Sequence, residues 1–114
     1  MISIQGVDTS IGLACTGQNE HLYRRLLDTF REHERPFVER CRALISSEKI
    51  EQAQRMAHEL RWNAGMIGAI ELSSSAALLE TALRRGVEVA MLDRYIGTIE
   101  RSLDPVLADL DRVL

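Results

Sequence analysis

Apolar residues recur at spacings of three and four along most of the chain. From Ile50 the series runs Ala53, Ala57, Leu60, Ala64, Ile67. A second runs Ala69, Leu72, Ala76, Leu79, Leu83, and a third Val89, Leu92, Ile96, Ile99, Leu103, Val106, Leu110, Val113. That period puts one apolar stripe on each of three helices, the seam of a helical bundle. An earlier stretch, Tyr23, Leu27, Phe30, Phe37, Cys41, Leu44, keeps the same beat but has Glu34 where an apolar residue should fall. Pro36 lies in it too; it removes a helical N–H and predicts a kink or split, and Pro105 sits similarly in the last helix.

The breaks between stripes are short. Asn19, after Gly17, is placed to cap a helix start, and Ser46-Ser47 separates two segments and offers an N-cap to the second. Gly68 and Gly86 fall where glycines end helices. The pattern predicts helices near 9–15, 20–45, 48–67, 70–85 and 88–113. Short connections make consecutive long helices antiparallel neighbours. The expected fold is all-α: an antiparallel up-and-down four-helix bundle with a short extra N-terminal helix. Residues 1–114 are expected to form one domain, with no internal repeat and no linker.

Composition narrows the function classes. At 114 residues, 46% hydrophobic and 27% charged, the chain can bury roughly two-thirds of its unfolded surface around one core. The net charge of −3 gives no reason to expect nucleic acid or an anionic membrane as partner. No apolar run approaches the ~20 residues of a membrane helix, and the start, Met-Ile-Ser-Ile-Gln-Gly, lacks the basic and apolar regions of a signal peptide. Cys15 and Cys41 are too few for a disulfide framework and match no zinc spacing, so both are expected as small core residues in a reducing cytoplasm.

Spacing disfavours the enzymes that bundles commonly house. Di-metal bundles need Glu-x-x-His pairs, but Gln18, Phe30 and Arg55 stand three positions before His21, His33 and His58. His58-Glu59 begins like a zinc-protease motif, yet position 62 is Trp62 rather than the second histidine. No metal site and no cofactor are expected in this chain. His21 and His33 lack companions and are read as structural or surface residues.

The third helix carries the informative residues. Its core stripe centres between Ala57, Leu60, Ala64 and Ile67, so His58 points about 130° away, into solvent or onto a partner. Gln54, Arg55, Arg61, Trp62 and Gly65 lie beside it on neighbouring turns. Arg61, one turn on, can bring a guanidinium to any charge carried on the imidazole. Gly65, which costs about 1 kcal/mol in a helix interior, leaves room for something to approach. An exposed histidine near an arginine is ordinarily only a solvated face. Trp62 and Met66, both directed outward, instead suggest a contact patch.

The run Ala57-His58-Glu59-Leu60-Arg61, continued by Ala64-Gly65-Met66-Ile67-Gly68-Ala69, Leu72 and Leu79-Glu80-Thr81-Ala82-Leu83, resembles the histidine-containing phosphotransfer (HPt) domains of bacterial two-component phosphorelays. The resemblance extends to Ile11-Gly12-Leu13, Tyr23-Arg24-Arg25-Leu26-Leu27 and Leu103-Asp104-Pro105-Val106-Leu107. It implies a phosphoprotein rather than an enzyme acting alone. His58 would accept a phosphoryl group from a receiver-domain aspartyl phosphate and pass it to another receiver's aspartate. Arg61 would steady the phosphate, and Gln54, Arg55, Glu59, Trp62, Gly65 and Met66 would dock the partner. Mg2+ is implied only in the receiver. The implied partners are response-regulator receiver domains and a hybrid sensor histidine kinase, with the domain a cytoplasmic monomer, free-standing or the C-terminal module of a membrane-bound kinase. Two departures stand out: the family's usual lysine is Arg61, a planar fork in place of a point charge, and its usual small residue is Trp62. The competing readings are a receiver-docking module that no longer transfers phosphate and an unrelated helical adaptor.

Overall fold

The computed structural model describes residues 2–114. Six helical segments follow one another: α1 (Thr9–Cys15), α2 (Glu20–Glu34), α3 (Phe37–Ser46), α4 (Ile50–Ile67), α5 (Ile70–Arg85) and α6 (Val89–Val113). No strand occurs among the described residues. α2 and α3 are the two halves of one predicted helix, broken at Arg35 and Pro36 as the missing N–H of Pro36 requires. With those halves counted as one, the long helices form a closed ring: α4 packs on α5, α5 on α6, and both α4 and α6 on α2 and α3. α1 covers α4 and the start of α2 at one end. This is the four-helix bundle with a short N-terminal helix that the periodicity predicts.

The stripes meet in one core. Leu27, Phe37, Leu60, Ile67, Leu72, Leu79, Ile96, Ile99, Leu103 and Leu110 are fully buried, and Ala53, Ala57, Ala64 and Ala76 are completely covered. Small residues at those four positions let α4 and α5 sit close to their neighbours, which matters below because the candidate site lies across these two helices.

Helix ends follow local chemistry in part. The side chain of Asn19 accepts from the Leu22 N–H, as expected of an N-cap. Gly68 and Gly86 end α4 and α5 in the left-handed region, at φ 94° and 72°. The Ser46-Ser47 expectation fails: Ser46 closes α3, Ser47 is its C-cap, and Lys49 precedes α4 without a side-chain cap. Glu48, at φ 60°, makes the reversal instead, so α4 begins at Ile50 rather than near 48.

Three further expectations are corrected by packing. α6 is not split at Pro105 but runs through it as one helix. An interior proline costs about 3 kcal/mol, but Leu103, Val106 and Leu107 beside it are buried, and each contributes about 1.5–3 kcal/mol. Cys15 is exposed, because α1 is a single short helix whose buried residues are Gly12 and Leu13; Cys41 is buried as expected. Burial pushes the Cys41 thiol up to about 11, so it stays a protonated, unreactive core group. Val89 is exposed, since it opens α6 outside the core that the rest of its stripe fills.

The turn between α4 and α5 is clamped by the N-terminal segment. The Asp8 N–H donates to the Gly68 carbonyl at 2.8 Å, while the Asp8 carboxylate caps α1 by accepting from the Ser10 N–H. A Cβ on Gly68 would run into the Asp8 backbone carbonyl, and any L-residue is strained at φ 94°. Gly68→Ala is therefore expected to cost at least about 1–3 kcal/mol, read as a lowered midpoint in urea unfolding; an unchanged midpoint would show that the clamp is dispensable.

Candidate functional site

His58 stands between two fully buried residues of α4, Ala57 and Leu60, so its Cα lies near the core while its ring leaves at the seam with α5. Ala57 is completely covered and adds no bulk there. Across the seam is Glu80, on the inward side of α5 between Ala76, Leu79 and Leu83, with a side chain only 11% exposed. Its Oε2 lies 2.7 Å from His58 Nδ1, and its Oε1 lies 3.5 Å from Arg61 Nη1. One buried carboxylate thus faces both an imidazole and a guanidinium, which supplies the partners that a buried charge requires.

This contact orders the imidazole. A carboxylate only accepts hydrogen bonds, so Nδ1 is the donor and Nε2 of the neutral ring carries the lone pair. The His58 side chain is 51% exposed, and Nε2 has no partner among the described residues. The expectation that the ring points simply outward is therefore refined: one edge is tied inward, and the other faces solvent.

The predicted neighbours sort by angle around α4. Trp62 stands 40° round from His58, its ring 6.2 Å from the imidazole at an interplanar angle of 63°. The Arg61 guanidinium lies 5.9 Å from the indole centroid, within cation–π reach. Gln54, Arg55 and Glu59 line a shallow, open hollow with His58, Glu51 and Glu80. Gly65 follows on nearly the same line as His58; an added Cβ would meet only Ser73 Oγ, at an ordinary 3.5 Å. Packing within the chain thus does not demand glycine there. Met66 is exposed but sits about 80° round from His58, at the flank towards α2. A larger hollow than the one beside His58 lies elsewhere, against the N-terminal segment and the ends of α2 and α6, and contains none of these residues.

Three residues that sequence reasoning did not assign complete the arrangement. Glu80 is one. Its signal in the sequence is an acidic residue inside the apolar stripe of α5. Ser73, the second, donates from Oγ to the Arg61 carbonyl at 2.7 Å and ties the two helices beside the site. Asn63, the third, donates from Nδ2 to Glu34 Oε2 at 2.8 Å on the opposite flank of α4. His21 is exposed, and His33 Nε2 lies 3.5 Å from Glu59 Oε2 at the surface, so of the structural or surface roles expected of them both take the surface one. Among the described residues no group of three or more His, Cys, Asp or Glu is arranged to hold a metal ion.

The Hpt domain family model matches residues 25–112, which takes in α3 to α5, all but the last residue of α6 and most of α2. Comparison with curated proteins and with solved structures found no match.

Glu34, the polar residue in the apolar stripe of α2, is only 3% exposed. Burial raises its carboxyl above the usual glutamate range, against the opposing pull of the Asn63 hydrogen bond and His33. A carboxyl raised in the folded state contributes stability at acid pH that is lost as pH rises through its folded value. Glu34→Gln keeps an oxygen for Asn63 and removes the buried charge. It is expected to melt above the wild type at pH 7, with the difference shrinking towards pH 4. Thermal melts at the two pH values check this, and a difference that grows towards pH 4 would contradict it.

Proposed function

The chain belongs to the Hpt domain family, the histidine phosphocarriers of two-component systems that work with receiver domains and are not kinases, and from this premise we propose that His58 is its phosphoacceptor. In this reading His58 Nε2 attacks the phosphorus of a receiver's aspartyl phosphate. The N–P bond forms as the P–O bond breaks, and the receiver keeps a free carboxylate. The modified ring then carries positive charge beside Glu80, which already holds its Nδ1 proton. In the second transfer another receiver's aspartate attacks the phosphorus and the N–P bond breaks. The neutral imidazole is returned with its proton still on Nδ1.

Each neighbour has a physical task in that exchange. Charge in phosphoryl transfer gathers on the equatorial oxygens, and a positioned cation stabilises it. Arg61 is that cation: its guanidinium is half exposed, and Glu80 Oε1 holds it within one turn of the imidazole. Glu80 is a positioning residue, acting through His58 and Arg61. The divalent cation, Mg2+, and the acidic pocket belong to the receiver, so this chain needs no cofactor of its own. Gln54, Arg55, Glu59, Trp62, Gly65 and Met66 form the surface on which the receiver docks.

The observation that carries the reading is the 2.7 Å contact of Nδ1 with a buried carboxylate, on a half-exposed ring whose Nε2 has no partner among the described residues. That is the state a nucleophilic imidazole needs. We further read residues 1–114 as one Hpt unit acting as a monomer, each core stripe being satisfied inside the bundle. We take its donor to be the receiver of a hybrid sensor kinase, which places it on the cytoplasmic side. No helix among the described residues is long and apolar enough to cross a membrane.

Intact mass after incubation with a phosphoramidate donor or a phosphorylated receiver tests the assignment. The expected product is one phosphoryl adduct, acid-labile and alkali-stable, that is absent in His58→Ala. Glu80→Ala removes a charge-assisted hydrogen bond of about 1.5–3 kcal/mol and is expected to slow transfer roughly 10- to 150-fold. Absence of any adduct on the wild type with every donor would leave a receiver-docking Hpt module that no longer transfers phosphate.

A further inference from the structure

We infer that Trp62 is the residue by which this domain selects among receiver domains, an indole held ready to enter an apolar cleft beside the receiver's phospho-aspartate. The inference rests on His58 as phosphoacceptor and adds to it the chemistry of the preferred partner.

Position makes the contact unavoidable. The indole centroid is 6.2 Å from the imidazole, so a receiver that brings a phosphoryl group to Nε2 must cover Trp62 as well. The indole is also beside the nucleophile rather than over it. The rings meet edge to face at 63°, the His58 side chain remains half exposed, and Nε2 has no partner among the described residues. A blocking lid would cover that nitrogen.

The ring is prepared for burial. It is 59% exposed, an unusual state for a side chain whose value lies in its large apolar area. Contacts with the His58 ring and the Arg61 guanidinium restrict its motion, so little freedom is lost when a partner closes on it. Pre-ordered aromatic anchors of this kind dominate interface energetics.

The surface around it explains how the same residue would discriminate. Gly65 leaves open floor on the adjoining turn, with only Ser73 Oγ within contact distance of an added Cβ. A bulky indole beside a glycine makes a knob next to a gap. A receiver with an apolar cleft accepts the knob, and one with a bulky side chain there is held away from Nε2. Attraction to one surface and exclusion of another act together.

The test is a set of purified receiver domains, phosphorylated with acetyl phosphate, assayed for transfer to the wild type, Trp62→Ala and Trp62→Phe. The spread in kcat/KM between the fastest and slowest receivers is expected to contract at least about tenfold in Trp62→Ala, as the fastest slows and the slowest gain. Trp62→Phe is expected to preserve the rank order. Trp62 is the chain's single tryptophan, so wild-type fluorescence also reports docking directly, and the fastest receiver is expected to shift its emission to the blue. Rates that change by one common factor for all receivers would overturn the inference, as would a fast receiver that leaves the emission unmoved. If phosphoramidate labels His58 in all three proteins while rates scale uniformly, the selector role alone falls. If His58 is labelled in none of them, the carrier reading falls with it.

Discussion

The Glu80 carboxylate lies at the seam of α4 and α5, where burying an ionised group without partners would be prohibitive, and both partners it has come from α4. Everything about the site follows from meeting that requirement. Oε2 takes His58 Nδ1 and thereby leaves Nε2 as the free nitrogen. Oε1 holds Arg61, which keeps a cation one turn from the ring. A rotation of α4 by a single residue, about 100°, would break both contacts and turn the apolar stripe out of the core. The site is therefore as well defined as the helix packing beneath it.

That packing is secured at a distance. Gly68 reverses the chain in the left-handed region, and the Asp8 N–H binds its carbonyl, so the N-terminal segment clamps the turn that sets α4 against α5. Tyr23 reinforces the same corner: its hydroxyl donates to the Ile67 carbonyl at 2.8 Å, and burial pushes that hydroxyl up to about 12. The segment before α1 and the first turns of α2 thus help position a histidine they never touch.

α4 carries polar commitments on two flanks, Glu80 towards α5 and Glu34 with Asn63 towards α2. Buried charges are weak contributors to stability. Here one orders the His58 ring and the other sits in a stripe that would otherwise be wholly apolar. The surface they support is shallow and open, unlike the concave pockets that take small molecules. Such a shape suits a group that must be reached by the active centre of another protein.

Much of this was legible in the chain itself. Apolar spacing, Asn19, Gly68, Gly86 and Pro36 act within a turn or two of themselves, so the helices, several of their ends and the break between α2 and α3 could be read directly. The outward face of His58, Arg61 and Trp62 followed from the same angular arithmetic. What could not be read depended on contacts between distant segments. Pro105 is tolerated because its neighbours are buried, Cys15 and Val89 are exposed because their helices end where the core does, and the Ser46-Ser47 pair yields to the left-handed turn at Glu48. Above all, the pairing of His58 with Glu80, 22 residues away, arises only when two helices pack in register. Local periodicity determined which side chains point outward; tertiary packing alone decided which imidazole nitrogen is left free, because a hydrogen bond between helices depends on their relative placement.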